Sequence, residues 1–233
     1  MTAPVCSIVG VGPGNGAAFA HRFAAEGYRV ACLARTRSYV ETLAGELGQG
    51  LGISCDASDP TSINDALHRV RDAWGPTDVL IYNAGSGVFG SIEEVSAEDM
   101  ENAWRLNTLG LHTASRFVAP DMKAKGHGTI VVVGATASLR GGARFAAFAQ
   151  AKASQRSLAQ SMARVWGASG IHVGLLVIDG VVDTERSRAM MPDFPEHRLM
   201  SPLAIADAAW TLTQQHPSAW TFEMDLRPAS EPW

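Results

Sequence analysis

At 233 residues and a formal net charge of −4, the chain is long enough to bury a full core in one unit. The acidic balance, with no basic run or acidic tail, excludes non-specific attraction to nucleic acid or anionic lipid. No stretch approaches the ~20 apolar residues of a membrane helix, and three scattered cysteines, Cys6, Cys32 and Cys55, give neither a C-x-x-C pair nor an even disulfide set.

In chain order, Val5–Val9 reads as a short buried strand. It has no basic segment before it and runs into glycines, so it does not read as a signal peptide. Gly14 to Glu26 carries Ala17, Ala20, Phe23 and Ala24 at helical spacing, and Gly27 ends it. Arg29–Ala34 follows as strand, Tyr39–Leu47 as helix and Gly50–Ser54 as strand. Asp59 or Thr61 caps a helix bearing Ile63, Leu67, Val70 and Trp74, which Gly75-Pro76 breaks. Val79–Tyr82 is a fourth strand. One helix starts near Ser96 and another runs from about Thr108 to Lys125. Thr129–Val133 is an almost purely β-branched strand, Phe148–Trp166 a long helix, and Ile171–Ile178 a buried strand. A helix from Pro202 to Gln214 and a strand over Trp220–Leu226 follow.

Strands that are continuous apolar runs, alternating with helices over short connections, predict a parallel sheet covered on both faces. The expected architecture is α/β: a single-domain, Rossmann-type doubly wound sheet of about seven strands. No linker or repeat suggests a boundary, so residues 1–233 form one unit, with a short substrate flap near 185–200.

Gly10-Val11-Gly12-Pro13-Gly14-Asn15-Gly16 joins the first strand to the first helix. Glycines there permit a tight turn and a close approach of backbone to a pyrophosphate, which the helix N-terminus then holds. NAD sites of this kind usually carry an acidic residue about twenty positions on. Here the second strand ends in Leu33-Ala34-Arg35-Thr36-Arg37, with no carboxylate. Arg35 can pair with a 2′-phosphate, so NADP(H) is preferred over NAD(H). Arg35 also reads as a solvated loop cation, and Pro13 adds no N–H to the loop.

Over essentially its whole length the chain resembles the short-chain dehydrogenase/reductase family. Gly10, Gly14 and Gly16 match that family's G-x-x-x-G-x-G pattern. Asp56, followed by Ala57, is similar to its acidic residue beside the adenine. Asn83-Ala84-Gly85 matches its N-A-G motif. Asn107 lies where the family has its active-site asparagine, and Lys152 matches its motif lysine. Asp179-Gly180-Val181-Val182-Asp183-Thr184 resembles the P-G-x-x-x-T segment that holds the nicotinamide, with Asp179 in place of proline.

The resemblance implies a tyrosine that protonates the carbonyl oxygen as hydride arrives, a lysine that lowers its pKa and binds ribose, and a serine that polarises the carbonyl. The tyrosine position is Phe148 and the serine position is Ala135. A phenyl ring exchanges no proton, so ordinary ketone reduction is expected to be poor. Thr136, Ser138 and Asp179 stand near the gap as replacement donors, though each also reads as a turn residue. His112 and the tyrosines Tyr28, Tyr39 and Tyr82 read as structural. An iminium substrate needs no proton, and Phe148 could face such a cation.

In the flap, Met190, Met191, Pro192 and Phe194 suggest an apolar small-molecule substrate, with Arg186 and Arg188 as basic flanks. Arg140 and Arg144 meet an anionic group or face water. Trp210, Trp220 and Trp233 pack the last helix, strand and tail, or a subunit contact. The expectation is a cytoplasmic homodimer or homotetramer that binds no metal, nucleic acid or membrane. It is an oxidoreductase with altered catalysis or, alternatively, a nucleotide-binding pseudoenzyme with an interaction or regulatory role.

Overall fold

In the computed structural model, which describes residues 2–86 and 88–230, seven parallel strands form one sheet. They are β1 (Val5–Val9), β2 (Arg29–Ala34), β3 (Gly50–Ser54), β4 (Val79–Tyr82), β5 (Gly128–Ala135), β6 (Ile171–Ile178) and β9 (Glu223–Leu226), in the order β3-β2-β1-β4-β5-β6-β9. The winding reverses between β1 and β4, so the loops leaving those strands part and open a crevice at their carboxyl ends.

Period-two alternation divides the core. Val5 and Val9 of β1 pack into one cluster with α3 (Pro60–Trp74), α5 (Gly110–Lys125) and α6 (Ala146–Trp166). Cys6 and Ile8 pack into the other, with α1 (Asn15–Ala25), α2 (Arg37–Glu46) and α8 (Pro202–Thr213). The polar residue of β1, buried Ser7, meets the Thr77 hydroxyl at 2.8 Å. All three cysteines are buried and free, and burial pushes the Cys32 thiol up to about 12. No helix among the described residues is long and apolar enough to cross a membrane.

Three local differences from the sequence reading have physical causes. The two helices expected after Ser96 are one rod: α4 (Ala97–Trp104) passes through a π-helical turn at Arg105–Leu109 into α5. That wide turn frees carbonyls, and side chains take them. Tyr82 Oη donates to Leu106 O, and Gln155 Nε2 donates to Asn107 O at 2.8 Å. Gly110 makes room, since a Cβ there would stand 2.1 Å from Tyr82 Oη.

The last strand begins at Glu223 rather than Trp220, because Trp220 instead stacks on His172 at 4.9 Å. The flap holds a short helix, α7 (Glu185–Met190), capped by Thr184, whose hydroxyl accepts from Ser187 N at 3.0 Å. Its two ends are joined by a ladder of β7 (Val181–Val182) and β8 (Leu199–Met200). Trp210 packs edge-on against Phe23 and Tyr28; Trp233 lies outside the described residues.

Candidate active site

The crevice between β1 and β4 is a cleft of about 520 Å³, lined by the glycine turn, Arg35, Thr36, Ala57, Gly85 and Thr184. Gly10 has φ +92°, and a Cβ on it would stand 2.4 Å from Ala84 N. The first turn therefore lies directly on the N-A-G turn, and Asn83 Nδ2 donates to Gly10 O at 2.7 Å to hold it there. A Cβ on Gly16 would meet Val11 Cα at 2.7 Å, and one on Gly14 the Thr184 methyl at 2.9 Å. No side chain caps α1, so the positive end of its dipole is open to the cleft. Asn15 Oδ1 at this helix start is buried without a partner among the described residues.

At the far end of the cleft Arg35 is exposed and forms no ion pair within 4 Å among the described residues, while Arg37 is engaged by Glu41 at 2.8 Å. Asp56 Oδ1 accepts from Ser58 Oγ at 2.7 Å and Ser58 N at 2.9 Å. These bonds, with the Arg35 charge, hold its carboxyl below the usual range.

At the near end, Lys152 lies on α6 with 4% of its surface exposed. Its Nζ donates to Val133 O at 2.8 Å and to Gln155 Oε1 at 3.0 Å. It also lies 5.8 Å from the centroid of the Phe148 ring, one turn earlier on the same helix. Asn107 Nδ2 donates to Ser86 O and Ala103 O, both at 2.8 Å, and Asn107 Oδ1 is buried without a partner among the described residues. The open cradle and the two orphaned acceptors, Asn15 Oδ1 and Asn107 Oδ1, suit a ligand bearing phosphate and hydroxyl groups, as a dinucleotide does.

Residues 4–193 match the family model described as short chain dehydrogenase. The chain belongs to the short-chain dehydrogenase/reductase family. It is 28% identical over 190 residues to the 3-oxoacyl-(acyl-carrier-protein) reductase FabG of Escherichia coli, covering 81% of this chain and 78% of that one. A short-chain dehydrogenase structure from Rhodopseudomonas palustris aligns with TM-score 0.83 and 36% identity over 97% of this chain and 98% of that one. An alcohol dehydrogenase from Thermococcus sibiricus, complexed with 5-hydroxy-NADP, aligns with TM-score 0.89 and 25% identity over 99% of this chain and 98% of that one.

Of the candidate replacement donors, Thr136 and Asp179 are paired with each other, while the Ser138 hydroxyl accepts one bond and keeps its own O–H. Ser138 Oγ accepts from Ala135 N at 3.1 Å and is buried. Thr136 Oγ1 donates to Asp179 Oδ1, whose other oxygen lies 3.1 Å from Arg227 Nη2. Both of these Asp179 partners are donors, so that carboxylate works as an acceptor. Gly180 is pressed against Met200 and Pro228, and Val182 and Thr184 line the nucleotide cleft. Tyr82 Oη is committed to Leu106 O, Tyr28 sits in the ring cluster with Phe23 and Trp210, and Tyr39 packs against the β1–β2 half of the core. His112 is exposed on α5, and Arg140 and Arg144 are exposed before α6.

Several contributors escaped the sequence reading. Phe89 and Phe145 form an edge-to-face cluster with Phe148, with Phe89 at 5.3 Å from Phe145 and 6.0 Å from Phe148. The bridge between Gly90 and Phe145 brings them together, and such a long-range contact leaves no local signal. Gln155 had one, since it stands three residues past Lys152 on the same helical face. Arg186 lines the nucleotide cleft, whereas Arg188 is tied to Asp183 at 2.6 Å and Glu196 at 3.2 Å.

Burial pushes the Lys152 ammonium from 10.5 down to about 7. Burial therefore penalises the protonated side chain fully below pH 7, and the penalty fades as pH rises toward the unfolded value. Lys152→Met removes this dependence. At ~1.4 kcal/mol per unit, the variant's stability relative to wild type should fall by ~2–3 kcal/mol from pH 6 to pH 9, read from urea midpoints. A difference that does not change with pH would show that this lysine is protonated in both states.

Proposed function

We propose that the protein is an NADP(H)-dependent oxidoreductase that works without a tyrosine, on a small apolar carbonyl or imine-like substrate. The observation that carries this is a glycine-lined cleft that Lys152 and Asn107 approach at Gly85, with the Phe148 ring beside Lys152 and no tyrosine lining the cleft among the described residues. When bound, the nucleotide supplies hydride. The glycine turn and the start of α1 would hold its pyrophosphate, Asp56 and Ala57 its adenine, and the segment Gly180–Thr184 its nicotinamide. Asn107 Oδ1 and Lys152 stand where hydroxyls of its ribose would approach.

The rings of Phe89, Phe145 and Phe148 offer an apolar surface that favours an apolar acceptor. Their faces also suit a carbon that already carries positive charge and leaves no oxyanion behind. Lys152 lies over the Phe148 ring, so a cationic substrate would meet the outer rings, Phe89 and Phe145, which are 50% and 42% exposed. The test is turnover of cyclic imines against simple ketones with NADPH. Silence on both, with tight nucleotide binding, favours the second reading: a nucleotide-binding protein that performs no redox step. The two carbonyl acceptors that hold Lys152 inside the fold fit that reading as well.

Arg35 supports the preference for NADP(H), together with the lack of a carboxylate at the end of β2. A charge-assisted bond to phosphate contributes ~1.5–3 kcal/mol. Arg35→Ala should therefore weaken NADPH binding ~10–100-fold and leave NADH binding nearly unchanged, as read by fluorescence titration. Equal losses for both nucleotides would show that Arg35 does not meet the 2′-phosphate. The alanine-rich faces of α5 and α6 suit close helix packing between copies, and light scattering should report a dimer or tetramer.

A further inference from the structure

Gln155 is fully buried one helical turn from Lys152. A carboxamide has an acceptor end and a donor end, and here both ends are committed to the candidate active site. Oε1 accepts from Lys152 Nζ at 3.0 Å, and Nε2 donates to the Asn107 carbonyl at 2.8 Å. The second oxygen on the lysine is Val133 O at 2.8 Å, from β5. Together these acceptors fill two of the three N–H directions of an ammonium.

Neither oxygen can donate a proton. When Lys152 is deprotonated, its two remaining N–H bonds stay with Val133 and Gln155, and the lone pair appears in the third direction. That direction leads to the N-A-G turn. Nζ lies 2.9 Å from the point where a Cβ on Gly85 would stand, and the unpartnered Asn107 Oδ1 lies 3.1 Å from the same point. Gly85 lines the nucleotide cleft.

We propose that Gln155 is a positioning residue that orients Lys152 so that its one titrating N–H faces the nucleotide cleft at Gly85, leaving the lysine as the proton-exchanging group of a site that has no tyrosine. The charged groups on the surrounding elements are engaged elsewhere. Asp179, just past the end of β6, is held by Thr136 and Arg227, and Arg156 on α6 by Glu223. Asp99 and Glu101 on α4 are held by Ser96 and Arg105, and Asp56 by Ser58. Arg140 and Arg144 on the loop before α6 are exposed. Burial is what brings the Lys152 ammonium down to about 7, within the range where such a proton exchanges.

This rests on the dinucleotide reading of the cleft, but its test does not need the nucleotide. The unliganded protein is labelled with ¹⁵N-lysine, the Lys152 signal is assigned by its loss in Lys152→Met, and its titration is followed by NMR in wild type, Gln155→Glu and Gln155→Leu. A carboxylate in place of the amide favours the ammonium, and an apolar chain removes its partner. The Lys152 midpoint should rise in Gln155→Glu and fall in Gln155→Leu, with the two separated by ~1 unit or more.

Gln155→Glu keeps the shape of the side chain, so it serves even where Gln155→Leu does not fold. A Gln155→Glu midpoint within about 0.3 unit of wild type, far below the shift a neighbouring charge gives, would overturn the proposal. In the same variants the pH dependence of NADPH affinity should move with the lysine midpoint. A silent substrate panel would leave the lysine result standing, and an unmoved midpoint would leave the nucleotide reading standing.

Discussion

Phe148→Tyr combined with Ala135→Ser is expected to raise NADPH-dependent ketone reduction at least ~10-fold over wild type. A positioned general acid contributes ~10²–10⁴ in rate, and an oxyanion donor a comparable factor. The gain should fall short of the product of the two for reasons visible in the fold. Lys152 is drawn toward Val133 and Gln155 and already lies over the Phe148 ring. Ser138 Oγ is bonded to the Ala135 amide and crowds the new serine. Imine turnover separates the alternatives, because a cationic acceptor gains nothing from a new acid. A wild type that is already fast on ketones, and that the double substitution slows, would show that another proton donor serves the site.

Gly10→Ala is expected to lose both stability and nucleotide binding. The residue has φ +92°, where an L side chain costs ~1–2 kcal/mol. The added methyl would also stand 2.4 Å from the Ala84 amide nitrogen, and backbone cannot swing aside as a flexible side chain can. Overpacking of this kind costs ~1–3 kcal/mol more. The sum, ~2–5 kcal/mol, is a large share of a typical folding free energy. It corresponds to a drop in Tm of ~5–15 °C for a chain of this size. Because β1 and β4 would be levered apart at the mouth of the cleft, NADPH affinity should fall as well. Gly12→Ala is the control. Nothing lies within 4 Å of its added Cβ, so its melting temperature should match wild type. Equal melting temperatures for Gly10→Ala and wild type would show that the two turns can separate without cost.

Most of the architecture could be read from residue patterns alone. Continuous apolar runs such as Val79–Tyr82 and Ile171–Ile178 specify strands buried on both faces, and their alternation with amphipathic helices leaves a parallel doubly wound sheet as the compact solution. The close approach of the glycine turn to the N-A-G turn was equally legible, because such an approach demands glycine and the demand appears in order along the chain. What could not be read depends on contacts between distant segments. The π-turn at Arg105–Leu109 is matched by Tyr82 and Gln155, which donate to its displaced carbonyls from other elements. The pairing of Thr136 with Asp179 joins two candidate replacement donors that lie far apart along the chain. The ring cluster of Phe89, Phe145 and Phe148 requires two loops to meet.

The two-residue ladder of β7 and β8 has an evolutionary consequence. Backbone pairing of Val181 with Leu199 and of Val182 with Met200 clamps the entry and exit of the intervening segment side by side. Beyond Thr184 and Arg186, which line the cleft, that segment can change in length without shifting the strands of the sheet. New loops can be grafted there while the order of the strands beneath is kept.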